Sequence, residues 1–219
     1  MSQASTNPAL KWILIVIVGM TALGAVFLFL YVTCPDDYRA ARKLQKRGFD
    51  FRYDWYDDNK IWKHPNVVLG MDQMITSDDS RLFCQLPRLI DLAFWSCNIS
   101  GLNLDEIGNC RELRFFHFAD TTRFPVNELK KLTACPVELI LVESIDVDLK
   151  DSDLEEFAKF THLEKLYLDF NNTGVTDVCL EYFEKIPTLK TLILPGSSIT
   201  QEGVEEFKKK RPDVIVELE

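Results

Sequence analysis

The sequence predicts an α/β solenoid in which each unit adds one strand to a parallel sheet and one helix behind it. A period is the first sign. The motifs Leu89-x-x-Leu92-x-Phe94, Leu113-x-x-Phe116-x-Phe118, Val137-x-x-Ile140-x-Val142, Leu163-x-x-Leu166-x-Leu168 and Leu189-x-x-Leu192-x-Leu194 begin 24, 24, 26 and 26 residues apart. That is the length of a stacked strand–helix repeat. Alternation is the second sign: each motif reads as a strand with one buried face, and an amphipathic segment follows it. Hydroxyl residues are the third. Ile75-Thr76, Ile99-Ser100, Val175-Thr176 and Ile199-Thr200 precede the expected helices, where the hydroxyl can act as N-cap. Ser152-x-x-Glu155 reads as a capping box in the intervening unit.

In chain order, a short polar N-terminus (1–11) leads into the run Trp12–Val32, which carries no charged residue. About 21 residues at 1.5 Å rise span roughly 31 Å, the thickness of a bilayer core. Lys11 and Trp12 mark one interface, and Tyr31 with Asp36 and Asp37 marks the other. Apolar residues continue past Ala22-Leu23-Gly24-Ala25 without a break, which favours an uncleaved anchor (12–33) over a cleaved signal peptide. A lipid-modified Cys34 is a further alternative, although Tyr31-Val32-Thr33 is a poor context for it.

Residues 34–66 are expected to form a juxtamembrane basic helix and an N-terminal cap, with Pro35 starting the helix and Gly48 stopping it. Arg39, Arg42, Lys43, Lys46 and Arg47 are spaced 0, 3, 4, 7 and 8, one stripe on a helix, with Ala41 and Leu44 turned elsewhere. The stripe is either a face for anionic headgroups or the solvated side of a capping helix. Positive charge behind the span favours a cytoplasmic repeat domain, with an extracytoplasmic one as the alternative.

Residues 67–219 are expected to hold about five to six repeats. From about Tyr38 to Glu219, about four-fifths of the chain, the sequence resembles bacterial leucine-rich-repeat proteins with helix-containing repeats, of the sort abundant in planctomycetes. The resemblance is carried by Tyr38-Arg39-Ala40-Ala41-Arg42-Lys43-Leu44, then Gly48-Phe49-Asp50-Phe51, and at the end by Gly203-Val204-Glu205-Glu206-Phe207 and Arg211-Pro212-Asp213-Val214. It implies a leucine-rich-repeat solenoid with the parallel sheet on its concave face. It says almost nothing about a ligand. In that family an Asn or Cys three residues after the motif satisfies backbone groups inside the turn. Cys97 and Asn171 match, Thr121 and Ser197 match weakly, and Ile145 departs. The longer units after Val137 and Leu163 suggest bulged turns.

With positions four and six of each motif facing the core, the residues between them line the concave sheet in three rows. One runs Ala93, His117, Leu141, Tyr167, Ile193; the others begin at Asp91 and at Trp95. Trp95, Phe115, His117, Leu139, Leu141, Tyr167 and Ile193 would form one apolar and aromatic patch, the kind of surface that marks an interaction site. Coverage by loops or by the N-terminal segment, or a register slip in the doubly apolar Val137–Val142, is the competing reading.

Signals for chemistry are few. The net charge of −9 argues against a nucleic-acid binder that works by phosphate neutralisation. None of the six cysteines forms a C-x-x-C pair. Cys84, Cys110 and Cys135 fall at equivalent helix ends, as buried reduced thiols do, with a Cys84–Cys110 disulfide as the alternative. His64, His117 and His162 lie in different units. The acidic run from Asp146 to Glu156 lacks the glycine and spacing of a calcium loop. Phosphate loops, nucleophile elbows and zinc-protease helices are missing from the sequence.

The expected function is therefore a membrane-tethered protein-binding module, with no catalysis, no cofactor, no metal and no small-molecule substrate. The alternative is an assembly factor that acts through the transmembrane helix, whose Gly19, Ala22, Gly24 and Ala25 offer small packing surfaces.

Overall fold

The computed structural model describes residues 36–53, 65–121, 126–143, 150–169 and 174–218. The anchor expected at 12–33, His64, the turns at 144–149 and Asn171 lie outside the described residues.

Among the described residues, eight strands form one sheet in chain order: β1 (Asp50–Tyr53), β2 (Pro65–Met71), β3 (Asp91–Trp95), β4 (Phe115–Ala119), β5 (Leu139–Glu143), β6 (Lys165–Leu168), β7 (Thr191–Ile193) and β8 (Ile215–Glu217). Only the β1–β2 pair is antiparallel; every later pair is parallel. Among the described residues the α-helices are α1 (Asp36–Lys46), α2 (Ser77–Phe83), α3 (Leu104–Ile107), α4 (Leu180–Glu184) and α5 (Gln201–Lys210). A solenoid of successive strand–helix units results, in which each repeat packs on its neighbours.

Motif positions four and six point to the helical side, as the alternation requires. Leu92, Phe94, Phe116, Phe118, Ile140, Val142, Leu166, Leu168, Leu192 and Leu194 are all fully buried. The third unit keeps the register read from Val137, since Ile140 and Val142 are enclosed while Leu139 and Leu141 are half-exposed. Aromatic rings continue the core across repeats: Phe49 meets Phe83 edge-on at 5.3 Å, and Phe83 meets Phe94 at 5.9 Å. Such pairs add to simple area burial.

Two units depart from the expected α-helix. Val126–Ala134 and Asp151–Lys159 are 3-10 helices. Their buried residues explain why: Leu129, Leu132 and Cys135, and then Leu154, Phe157 and Phe160, recur every third residue. Three residues per turn keep each triplet on one line facing the sheet.

The capping expectations divide. Thr76, Thr176 and Thr200 are N-caps, with side chains accepting from the N–H groups of Asp79, Val178 and Gly203. Ser100 is not a cap. Asn103 takes that place, three residues later, accepting from Asp105 and Glu106. Nor does Ser152 begin a capping box. The 3-10 helix starts one residue earlier, and the Asp153 carboxylate accepts from the Lys150 N–H at 3.0 Å.

Positive φ angles at Asp72, Ser96 and Asp120 (52°, 52° and 50°) end three consecutive strands. The turn lets each N–H reach the next strand's last carbonyl, on Trp95, Ala119 and Glu143 respectively. The left-handed conformation is thus a repeated feature offset by a ladder bond. Asp is among the residues that tolerate it best.

Candidate binding face

The sheet face opposite the helices is where the sequence reading put its site. Backbone register aligns Leu69, Ala93, His117, Leu141, Tyr167 and Ile193 across β2 to β7. Beside that row run Val67, Asp91, Phe115, Leu139, Lys165 and Thr191, and on its other side Met71, Trp95, Ala119 and Glu143. Neighbouring strands sit about 4.8 Å apart, so in-register side chains touch. Trp95, Phe115, His117, Leu139, Leu141, Tyr167 and Ile193 are all half-buried and share this face. Ala93 and Ala119 are small enough to be closed over.

Leu69 and Met71 extend the apolar surface onto β2, and Met71 is 57% exposed. They were missed because β2 lacks the motif. Val68 fills its first core-facing position, but the second is Gly70, where a Cβ would lie 3.1 Å from both the Phe49 and the Phe94 ring. The rings fill the space that a Phe, Val or Leu fills in later strands, so the strand's sequence no longer shows the periodic apolar residue.

His117 is the polar centre of the face. Its Nδ1 stands 3.9 Å from an Asp91 carboxylate oxygen, beyond hydrogen-bond reach, and its Nε2 is buried with no hydrogen-bond partner among the described residues. Burial lowers the imidazole's pKa and outweighs the opposing pull of Asp91. The ring is therefore neutral at pH 7, able to donate or accept one hydrogen bond. The Tyr167 phenol is pushed up, first by burial and then by Glu143 and Asp169, and stays protonated.

The basic stripe is partly committed to the fold. Ala40, Ala41 and Leu44 bury the other side of α1. Arg42, Lys43 and Lys46 are exposed and Arg39 is half-buried. Arg47 differs from the expectation: its Nε pairs with the buried Asp79 carboxylate at 2.7 Å and its Nη2 donates to the Met74 carbonyl at 3.1 Å. The pairing holds Arg47 against α2.

The acidic run is also in use. Asp151 accepts two hydrogen bonds from Thr176, and Asp153 holds the Lys150 N–H. Among the described residues no group of three or more His, Cys, Asp or Glu is placed to hold a metal ion. A groove between α4 and α5 is lined by Asp177, Glu181, Glu184, Glu202, Glu206 and Lys210. Three of its carboxylates are engaged, Asp177 with Thr200, Glu184 with Lys210 and Glu206 with Lys209. The five described cysteines are free thiols, and all but the half-buried Cys84 are buried. Among the described residues no helix is long and apolar enough to cross a membrane.

No protein-family model and no curated protein sequence matches the chain. Solved structures do. One is a leucine-rich-repeat protein from Leptospira interrogans, 20% identical, over 63% of this chain and 33% of that one, with a TM-score of 0.45. Another is an internalin from Listeria monocytogenes, 16% identical, over 63% of this chain and 43% of that one, with a TM-score of 0.41. The chain thus matches less than half the length of either. The chain's own geometry shows units of 24 and 26 residues, one sheet in chain order, and enclosed apolar positions on strands β3 to β7.

Proposed function

We propose that this protein is a membrane-tethered binding module that takes another protein on the open face of its sheet and performs no catalysis. The observation that carries this reading is the in-register row His117, Leu141, Tyr167 and Ile193, flanked by Phe115, Leu139 and Trp95 on the face that carries none of the described helices. Aromatic and aliphatic side chains on a rigid sheet supply contact area at low entropic cost. The neutral His117 and Tyr167 add directional hydrogen bonds. Glu143 at the edge favours a partner that brings a basic side chain to an apolar centre.

The tether rests on the charge-free run Trp12–Val32, which would fix the module in the membrane plane and raise its effective concentration for neighbours there. Basic residues after that run favour a cytoplasmic position for the repeats.

The test is native separation of the full-length protein, solubilised in mild detergent from its own membrane. Leu141→Asp and Tyr167→Ala should shift the protein from a larger assembly to its free size. Exchange of residues 12–33 for an unrelated span should leave the assembly intact. The opposite pattern would favour the assembly-factor reading, in which the helix itself makes the contact.

A further inference from the structure

Cys84 and Cys110 end the helical segments of consecutive repeats, and their sulfurs stand 2.9 Å apart. We propose that this pair is a thiol–disulfide exchange site, at which a small-molecule disulfide converts the two thiols into a reversible bond between repeats. The inference does not depend on the reading of the open face.

Geometry supplies the first argument. A disulfide needs a sulfur separation of about 2.05 Å. Two sulfurs at 2.9 Å reach it by an approach of about 0.9 Å.

Access supplies the second. Cys84 is half-buried and Cys110 is 5% exposed, so the pair lies at the surface end of the core. The other described thiols are enclosed. Cys135 is 2% exposed and its sulfur faces the carbonyls of Ile107 and Gly108 at 3.6 and 3.5 Å. Cys97 is 2% exposed and donates to the Trp95 carbonyl, and Cys179 is fully buried.

The order of events follows from the same facts. Exchange proceeds through the thiolate, and an oxidant meets the more exposed sulfur first. Cys84 loses its proton and attacks one sulfur of the incoming disulfide. A mixed disulfide forms on Cys84 and one small thiol leaves. Cys110, whose thiol is raised by Cys84 and by burial, then gives up its proton and attacks the Cys84 sulfur. The second small thiol leaves. Two protein thiols and one disulfide become one protein disulfide and two small thiols, with two electrons passing to the oxidant. The new bond spans 26 residues of chain and adds a covalent link between repeats that the β2–β3 ladder and the Asn103–Ser80 hydrogen bond already join.

The experiment treats the full-length protein in detergent with millimolar oxidised glutathione, quenches with acid, alkylates and maps peptides by mass spectrometry. A Cys84–Cys110 cross-link that dithiothreitol reverses is expected, with Cys97, Cys135 and Cys179 unmodified. Cys110→Ser should instead accumulate glutathione on Cys84, and Cys84→Ser should yield neither product. A lasting glutathione adduct on Cys84 of the unsubstituted protein, or no loss of either thiol, would overturn the proposal. The unsubstituted protein decides the matter even where a serine variant fails to fold.

Discussion

Asp177 holds Thr200 across a repeat boundary: its two carboxylate oxygens accept from the Thr200 backbone N–H and hydroxyl, each at 2.7 Å. Asp151 does the same for Thr176, each bond at 2.8 Å. Both threonines are N-caps, so each carboxylate orients a hydroxyl that must also accept from its own helix. The bond count at the cap ties the start of one repeat to the helical segment before it. In the first of these repeats the carboxylate is local: Asp79 accepts from the Thr76 N–H and hydroxyl at 2.8 and 2.7 Å.

Removing that staple should cost stability and relieve a steric constraint at once. Asp177→Ala is expected to destabilise by about 1 kcal/mol, since the bonds are charge-assisted but exposed. A Cβ at Gly203 would lie 2.3 Å from the Asp177 carboxylate, so Gly203→Ala alone should also destabilise. In the Asp177→Ala background the same alanine should be neutral or favourable by up to about 1 kcal/mol, the ordinary gain in a helix. Chemical denaturation of the four proteins of this cycle measures the coupling. Additive effects would refute the staple.

The Arg47–Asp79 pair should matter more than a surface ion pair. Asp79 is enclosed while Arg47 remains 42% exposed, so the guanidinium closes over a buried carboxylate. Arg47→Gln should lower stability by about 1–3 kcal/mol, because the carboxylate keeps only its Thr76 bonds. Urea midpoints at low and high salt check this. A loss under about 0.5 kcal/mol would place the pair with ordinary surface bridges.

His117 predicts a pH dependence. Burial holds its folded pKa below the ordinary 6.5 of an imidazole. The unfolded chain therefore binds the proton more readily. The stability held by the neutral ring is complete above about pH 6.5 and is lost as pH falls through the folded pKa. His117→Gln should flatten the fall in stability between about pH 6.5 and 5.5, before carboxylates titrate. Thermal unfolding across that window is the check. An unchanged slope would mean the imidazole is not desolvated.

The orientation has its own test, protease digestion of the repeats in intact cells and in inside-out vesicles. The basic residues behind Val32 predict cleavage in inside-out vesicles only. Cleavage from outside would reverse the orientation and put the repeats in an oxidising compartment, where the Cys84–Cys110 bond would stand formed.

Core and register were legible because they repeat. A strand with one enclosed face shows in every unit, so Leu92, Phe116, Ile140, Leu166 and Leu192 could be aligned by number alone. The 3-10 segments were legible in principle. Leu129-x-x-Leu132-x-x-Cys135 carries a period of three, but over so short a stretch it passes for one face of an α-helix. What escaped depends on proximity between residues distant in sequence. Asp177 and Thr200 are 23 residues apart, and Arg47 and Met74 are 27 apart; both contacts join separate units and leave no pattern within one. Gly70 hid the β2 edge of the face because aromatic rings from other elements replace its side chain. The apolar sheet face follows from alternation, whereas a partner would leave no pattern in a scaffold whose specificity lies in variable positions.

The central claim is that the open sheet face is occupied in the cell. Site-specific photo-crosslinking tests it most directly, with the photoreactive residue at Leu141 or Tyr167 and, as the control, at the exposed Lys208 of α5. The account predicts one discrete protein adduct of the same mass from both sheet positions and none from Lys208. Adducts from Lys208 alone, or identical patterns from all three positions, would contradict it.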